Sequence, residues 1–186
     1  MPWKNGGGET TEIAASPEGA GLDAFDWRVS MARVDGDGPF SLFPGIDRTL
    51  AILDGEGLRL AIEGRDPVEL TRATAPLAFP ADAPTGSILL GGPVTDLNVM
   101  TRRTMARHEL TVQDYPSGTA IAATASVTLV VPLDAPIELV TPEGPVVVGR
   151  RDTLRIDRAA EEAWSAVLAV RARLAVIAIR TLDRGR

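Results

Sequence analysis

Three cations, Lys4, Arg28 and Arg48, stand among small polar residues in a chain that is otherwise acidic. Ser30 follows Arg28 at a spacing of two, Asn98 follows Asp96 at the same spacing, Ser41 precedes Arg48, and Asn5 follows Lys4. A guanidinium presents a planar fork that matches a carboxylate bidentately. Asn5, Ser30, Ser41 and Asn98 would orient a ligand through neutral hydrogen bonds. Asp96 would accept from an amide or amine, or would orient one of the arginines. The chemistry suggested is recognition of a small anion without bond breaking. Taken singly, each arginine reads as a solvated or ion-paired surface residue. Gly6, Gly7 and Gly8 are costly to order and make sense where backbone approaches something closely. The plainer alternative is an unordered start of the chain. Trp27 reads as core, or as the apolar wall of a pocket.

Other chemistries find less support. The chain has no cysteine and one histidine, His108, so thiolate chemistry and a three-histidine metal site are excluded. Acidic residues alone could hold a hard cation, but no spacing marks such a site, and neither a metal nor a cofactor is expected. A serine nucleophile would have only His108 as imidazole base, and no Gly-x-Ser-x-Gly turn is present. The glycine run has no preceding strand and no following Lys-Ser/Thr, so it is a weak phosphate loop. The catalytic rival is a metal-independent isomerase or lyase with Lys4 or Asp96 as base, since burial can tune either toward neutral pH.

A length of 186 residues suits one domain or two packed halves, divided roughly at residue 100. The chain is 45% hydrophobic but only 4% aromatic, so its core must be aliphatic. A net charge of −6 argues against a nucleic-acid partner, which would need a basic face. The pairs Arg102–Arg103 and Arg150–Arg151 suit a solvated rim or intramolecular ion pairs. No secretory leader is evident in the first twenty residues. The most hydrophobic stretch, from Ala163 to Leu182, is interrupted by Arg171, Arg173 and Arg180. A cytoplasmic protein with no membrane partner is expected. An exposed strand edge would also serve pairing into a homodimer, or docking of another protein.

The elements that must position these residues read as short strands broken by Gly and Pro. Phe25–Val34 alternates, with Trp27, Val29 and Met31 on one face and Arg28 and Ser30 on the other. Val94–Met100 alternates too, Asp96 and Asn98 sharing a face. Arg48–Leu53 and Leu58–Ile62 flank Asp54-Gly55-Glu56-Gly57, a hairpin signal. Further strands are expected at Glu12–Ala15, Phe40–Phe43, Val68–Leu70, Leu77–Phe79, Arg107–Gln113, Ala120–Val131, Glu138–Val140, Val146–Val148, Thr153–Ile156 and Ala172–Ile179. Pro80–Gly86 reads as a loop and Ala159–Trp164 as a helical turn. The pattern predicts an all-β sandwich or barrel. A faint repeat, offset by about 78 residues by the spacing of Pro67-Val68 and Pro145-Val146, suits two similar β-halves.

Four blocks carry a more specific signal: PWKNGGGETTEIA from Pro2, FDWRVSMARV from Phe25, GPFSLFPGIDRTLAILDGEGL from Gly38 and GGPVTDLNVMTRR from Gly91. In this order they resemble the HutD/Ves family. The resemblance implies a cupin-type fold, a double-stranded β-helix barrel duplicated as a bicupin, with little helix. It makes the segment with Lys4, Asn5 and Gly6 the wall of a binding pocket. It implies a non-catalytic protein that binds an anionic metabolite, such as N-formylglutamate or urocanate, and restrains histidine utilisation. A stress-related role through a protein partner is the other function the resemblance covers.

Overall fold

The computed structural model describes residues 8–158 and 164–182, and every regular element among them is a β-strand. Among these residues there is no helix long and apolar enough to cross a membrane.

The first compact unit runs to Ala106. Its strands are β1 (Gly8–Ser16), β2 (Trp27–Val34), β3 (Gly38–Pro39), β4 (Ile46–Asp54), β5 (Leu58–Ile62), β6 (Val68–Leu70), β7 (Leu77–Pro80), β8 (Thr85–Leu89) and β9 (Val94–Arg102). They form two sheets, ordered β1-β2-β9-β4-β7 and β3-β8-β5-β6. Position in the sheet explains the burial pattern. In β5, Leu58, Leu60 and Ile62 are buried while Arg59 and Ala61 are exposed, as expected of a strand with one wet face. The adjacent strands β2, β9 and β4 in the middle of the other sheet are buried on nearly every residue.

The second unit covers Arg107–Thr181. Its strands are β10 (Ala106–Tyr115), β11 (Ala120–Ala123), β12 (Val127–Pro132), β13 (Ile137–Thr141), β14 (Gly144–Val148), β15 (Leu154–Asp157), β16 (Trp164–Leu168) and β17 (Ala172–Thr181). The sheets are ordered β10-β17-β12-β15 and β11-β16-β13-β14. Each order is that of the first unit with eight added to every strand, β1 being the extra edge strand. This is a duplicated β-barrel architecture. It also locates the faint sequence repeat: Val68–Leu70 and Gly144–Val148 are the equivalent strands β6 and β14. The turns before the two copies are not equivalent: Asp54–Gly57 crosses from β4 in one sheet to β5 in the other, so the expected hairpin does not form there, whereas Thr141–Gly144 joins the paired strands β13 and β14.

Several expected elements differ. Phe40–Phe43 is not a strand: the Phe40 and Phe43 amides bond to the carbonyls of Thr85 and Ala81, and the segment turns at Pro44-Gly45, where Gly45 has φ 73°. Ala120–Val131 is two strands in different sheets, and the chain crosses between them at Thr124-Ala125-Ser126, a change of sheet set by tertiary packing. Part of the expected loop Pro80–Gly86 begins a strand, β8. The expected helical turn lies outside the described residues except for Trp164, which opens β16.

Candidate functional site

Antiparallel register brings the sequence-selected residues onto one face of the first unit. Arg28 pairs with Met100, Met100 with Arg48, and Arg48 with Phe79, so these four form a row across β2, β9, β4 and β7. The next row on that face is Glu12, Ser30, Asn98 and Leu50, and the one after is Ala32, Asp96 and Ile52. The face continues into Val34, Leu50, Ile52 and Val94, which pack with Leu58 and Leu60 of the opposite sheet. It is therefore the interior of this barrel: apolar at one end, charged at the other.

Arg48 is 4% exposed. Its guanidinium carbon lies 5.2, 5.4 and 5.8 Å from the ring centroids of Phe40, Phe43 and Phe79. Three aromatic faces hold the cation electrostatically without using its N–H groups. Nη2 donates only long bonds, 3.5 Å to the Ser41 carbonyl and 3.5 Å to the Met100 sulfur. Nε and Nη1 are buried without a hydrogen-bond partner. Burial lowers the Arg48 pKa to about 10; the charge of Asp96 opposes the shift and that of Arg28 adds to it. Arg48 is still a cation at neutral pH.

Asp96 is wholly buried. Its Oδ1 accepts a 2.7 Å bond from Asn98 Nδ2, while Asp96 Oδ2 and Asn98 Oδ1 have no partner. Burial raises the Asp96 pKa to about 7, against the opposing effects of the Arg48 charge and of hydrogen bonds from Asn98 and the Ala32 amide. Two donor nitrogens with three unbonded N–H groups, and two unbonded oxygens, on one buried face are costly unless something binds them.

Arg28, also 4% exposed, is better satisfied. Its Nε donates to Glu12 Oε2 at 2.8 Å and its Nη1 to Ser30 Oγ at 3.3 Å.

The corner that carries the capping phenylalanines is pinned from outside. Arg103 donates to Asp47 at 2.6 Å, to Asp82 at 2.7 and 2.9 Å, and to the Ile46 carbonyl at 2.9 Å. Asp82 also accepts from the Gly45 amide at 3.2 Å. The Arg103 and Gly45 bonds hold the Asp82 carboxyl well below the usual carboxylate range.

The structure thus brings together Arg28, Ser30, Arg48, Asp96 and Asn98. Ser41 joins through its carbonyl, its side chain lying on an exposed residue. Trp27 does not join: it is buried on the other face of β2, opposite Thr101, so it is no wall of this site. Lys4, Asn5 and Gly6 lie outside the described residues. Sequence reading missed Glu12, Phe40, Phe43, Phe79 and Met100. Strand period alone offered Met100, two residues beyond Asn98 on the same face; nothing local marked the phenylalanines, which arrive from a loop and from β7. Among the described residues no three His, Asp or Glu side chains are grouped to hold a metal ion.

A family model described as HutD matches residues 1–176. An uncharacterised 21.2 kDa protein of Pseudomonas putida, from the region 3′ of hutC, is 42% identical over 100 residues, 54% of this chain and 52% of that protein. Protein Ves of Citrobacter koseri is 40% identical over 114 residues, 60% of this chain and 58% of that one. The matches thus span little more than half the length of these curated relatives. Among solved structures, HutD from Pseudomonas fluorescens SBW25 superposes with a TM-score of 0.81 at 28% identity, covering 98% of this chain and 94% of that one. A cupin 2 conserved barrel domain protein from Leptotrichia buccalis shares the fold, with a TM-score of 0.65 at 12% identity over 97% of this chain and 92% of that one.

Proposed function

This chain belongs to the HutD family, and from that premise we propose that it binds a small carboxylate metabolite inside its first barrel. One observation carries the reading: Arg48 is held between aromatic rings with Nε and Nη1 unbonded, beside the unbonded oxygens of Asp96 and Asn98. Unbonded N–H donors on a buried cation suit a carboxylate oxygen, to which they give charge-assisted hydrogen bonds. The adjacent oxygens suit an N–H group on the same ligand. N-formylglutamate and urocanate each carry a carboxylate and an N–H, and histidine utilisation is the setting that likeness to HutD suggests. There the protein would act by holding a pathway intermediate and restraining the pathway.

Isothermal titration against N-formylglutamate, urocanate, glutamate and histidine, with and without chelator, tests this. One of the four should bind regardless of chelator, and Arg48→Met should weaken it at least about thirtyfold, the loss typical of breaking a buried charge pair. Unchanged affinity in a folded Arg48→Met protein would remove Arg48 from the site.

A catalytic reading has one observation in its favour. Asp96 combines an unbonded buried oxygen with a pKa near neutrality, as a general base requires. Turnover of a bound carboxylate that disappears in Asp96→Asn while binding persists would establish it.

A further inference from the structure

The second arginine of the cluster is not free, and the group that holds it is unequal to it. Arg28 is anchored: its side chain is 5% exposed and its Nη1 is held by Ser30. Glu12 lies on β1, the edge strand of its sheet, and its side chain is 39% exposed. The pairing of β1 with β2 shifts register just after Glu12: Glu12 opposes Ser30 and Ala14 opposes Val29, leaving Ile13 as a bulge residue. A bulge re-aims the side chains beside it, and here the residue beside it carries its carboxylate to the barrel interior. The cation cannot leave this contact, whereas the anion can swing into water.

We propose that Glu12 is an internal competitor for Arg28: its carboxylate fills the position that a second carboxylate of a bound ligand would take, and it thereby sets how strongly the site prefers one carboxylate over two. The inference rests on the reading that Arg48 receives a carboxylate. Arg28 and Arg48 flank Met100 in one row across the sheet, about 10 Å apart at Cα by two strand spacings. They point into the same interior and feel each other's charge. A monocarboxylate on Arg48 leaves the Glu12–Arg28 pair intact. A dicarboxylate must either displace Glu12 or leave its second charge beside it.

The test uses acetate and succinate as probes, titrated into wild-type protein and Glu12→Gln at constant ionic strength, with Glu12→Asp, one methylene shorter, as a second variant. Glu12→Gln should tighten succinate about fivefold more than acetate, the upper range for a partly exposed ion pair. Glu12→Asp should fall between it and wild type. An equal gain for both probes would mean general electrostatics, and a weaker succinate complex would mean that Glu12 merely positions Arg28; either overturns the proposal. If neither probe binds any of the proteins, the carboxylate reading of Arg48 falls and this inference with it.

Discussion

Asp96 is a carboxylate wholly removed from water, and its titration gives a signed expectation. Its folded pKa of about 7 lies above the ordinary value of 3.8, so the folded state binds the extra proton between those values. Stability must therefore decline as pH rises through that window, and the penalty is complete above it. Asp96→Asn removes the penalty. The variant should be more stable than wild type at pH 8, by about 4 kcal/mol, and the difference should vanish near pH 4. Urea unfolding of both proteins across this range checks it; a gap independent of pH would mean that Asp96 stays ionised inside. Arg48 poses the complementary question. Its buried guanidinium costs desolvation that its sparse bonds do not recover. Arg48→Met keeps the volume and lets Asp96 take a proton, so unfolding stability should hold or rise by about 1 kcal/mol while carboxylate binding is lost. A drop in stability instead would make Arg48 a structural residue.

The elements were legible to the extent that their reasons are local. The turn between β4 and β5 is the clearest case, although the two strands it joins lie in different sheets and do not pair as a hairpin. Gly55 has φ +87°, and a Cβ there would meet the Pro93 carbonyl oxygen at 2.6 Å; Gly64 has φ +76° but open space around it. Gly55→Ala should therefore cost about 3 kcal/mol and Gly64→Ala about 1, a contrast readable from paired melting curves. Equal losses would mean that backbone conformation alone matters at both turns. The alternation in β2 and β9 likewise placed Arg28, Ser30, Asp96 and Asn98 on shared faces before any pairing was known. What strand period could not say is which face is the interior, because in central strands both faces are buried. Nor could it split Ala120–Val131, where β propensity is continuous and the change of sheet is decided by tertiary packing. Phe40 and Phe43 carry β-prone side chains, yet their role over Arg48 depends on the Pro44-Gly45 corner and on Arg103, more than fifty residues away in sequence.

On the scale of the whole molecule, duplication supplies an internal control. The two units share one strand order, but the second packs Val130, Ile137, Leu139, Leu168 and Leu174 into its core, where the first carries two arginines and an aspartate. The architecture thus does not require buried charge; among the described residues, charge on buried residues is confined to one copy. It is also confined in a protein of net charge −6, whose long-range field repels anions. Attraction must then come from groups inside the barrel, which salt screens far less than exposed ones. A site of this kind differs from a basic surface patch, whose field speeds the approach of anions and collapses as salt is added. Raising ionic strength from 20 to 200 mM should speed carboxylate association by about twofold through screening of the overall repulsion, with dissociation nearly constant. Stopped-flow measurement of both rates decides between the two: an association rate that falls steeply with salt would place the attracting charge on the surface and not beside Arg48.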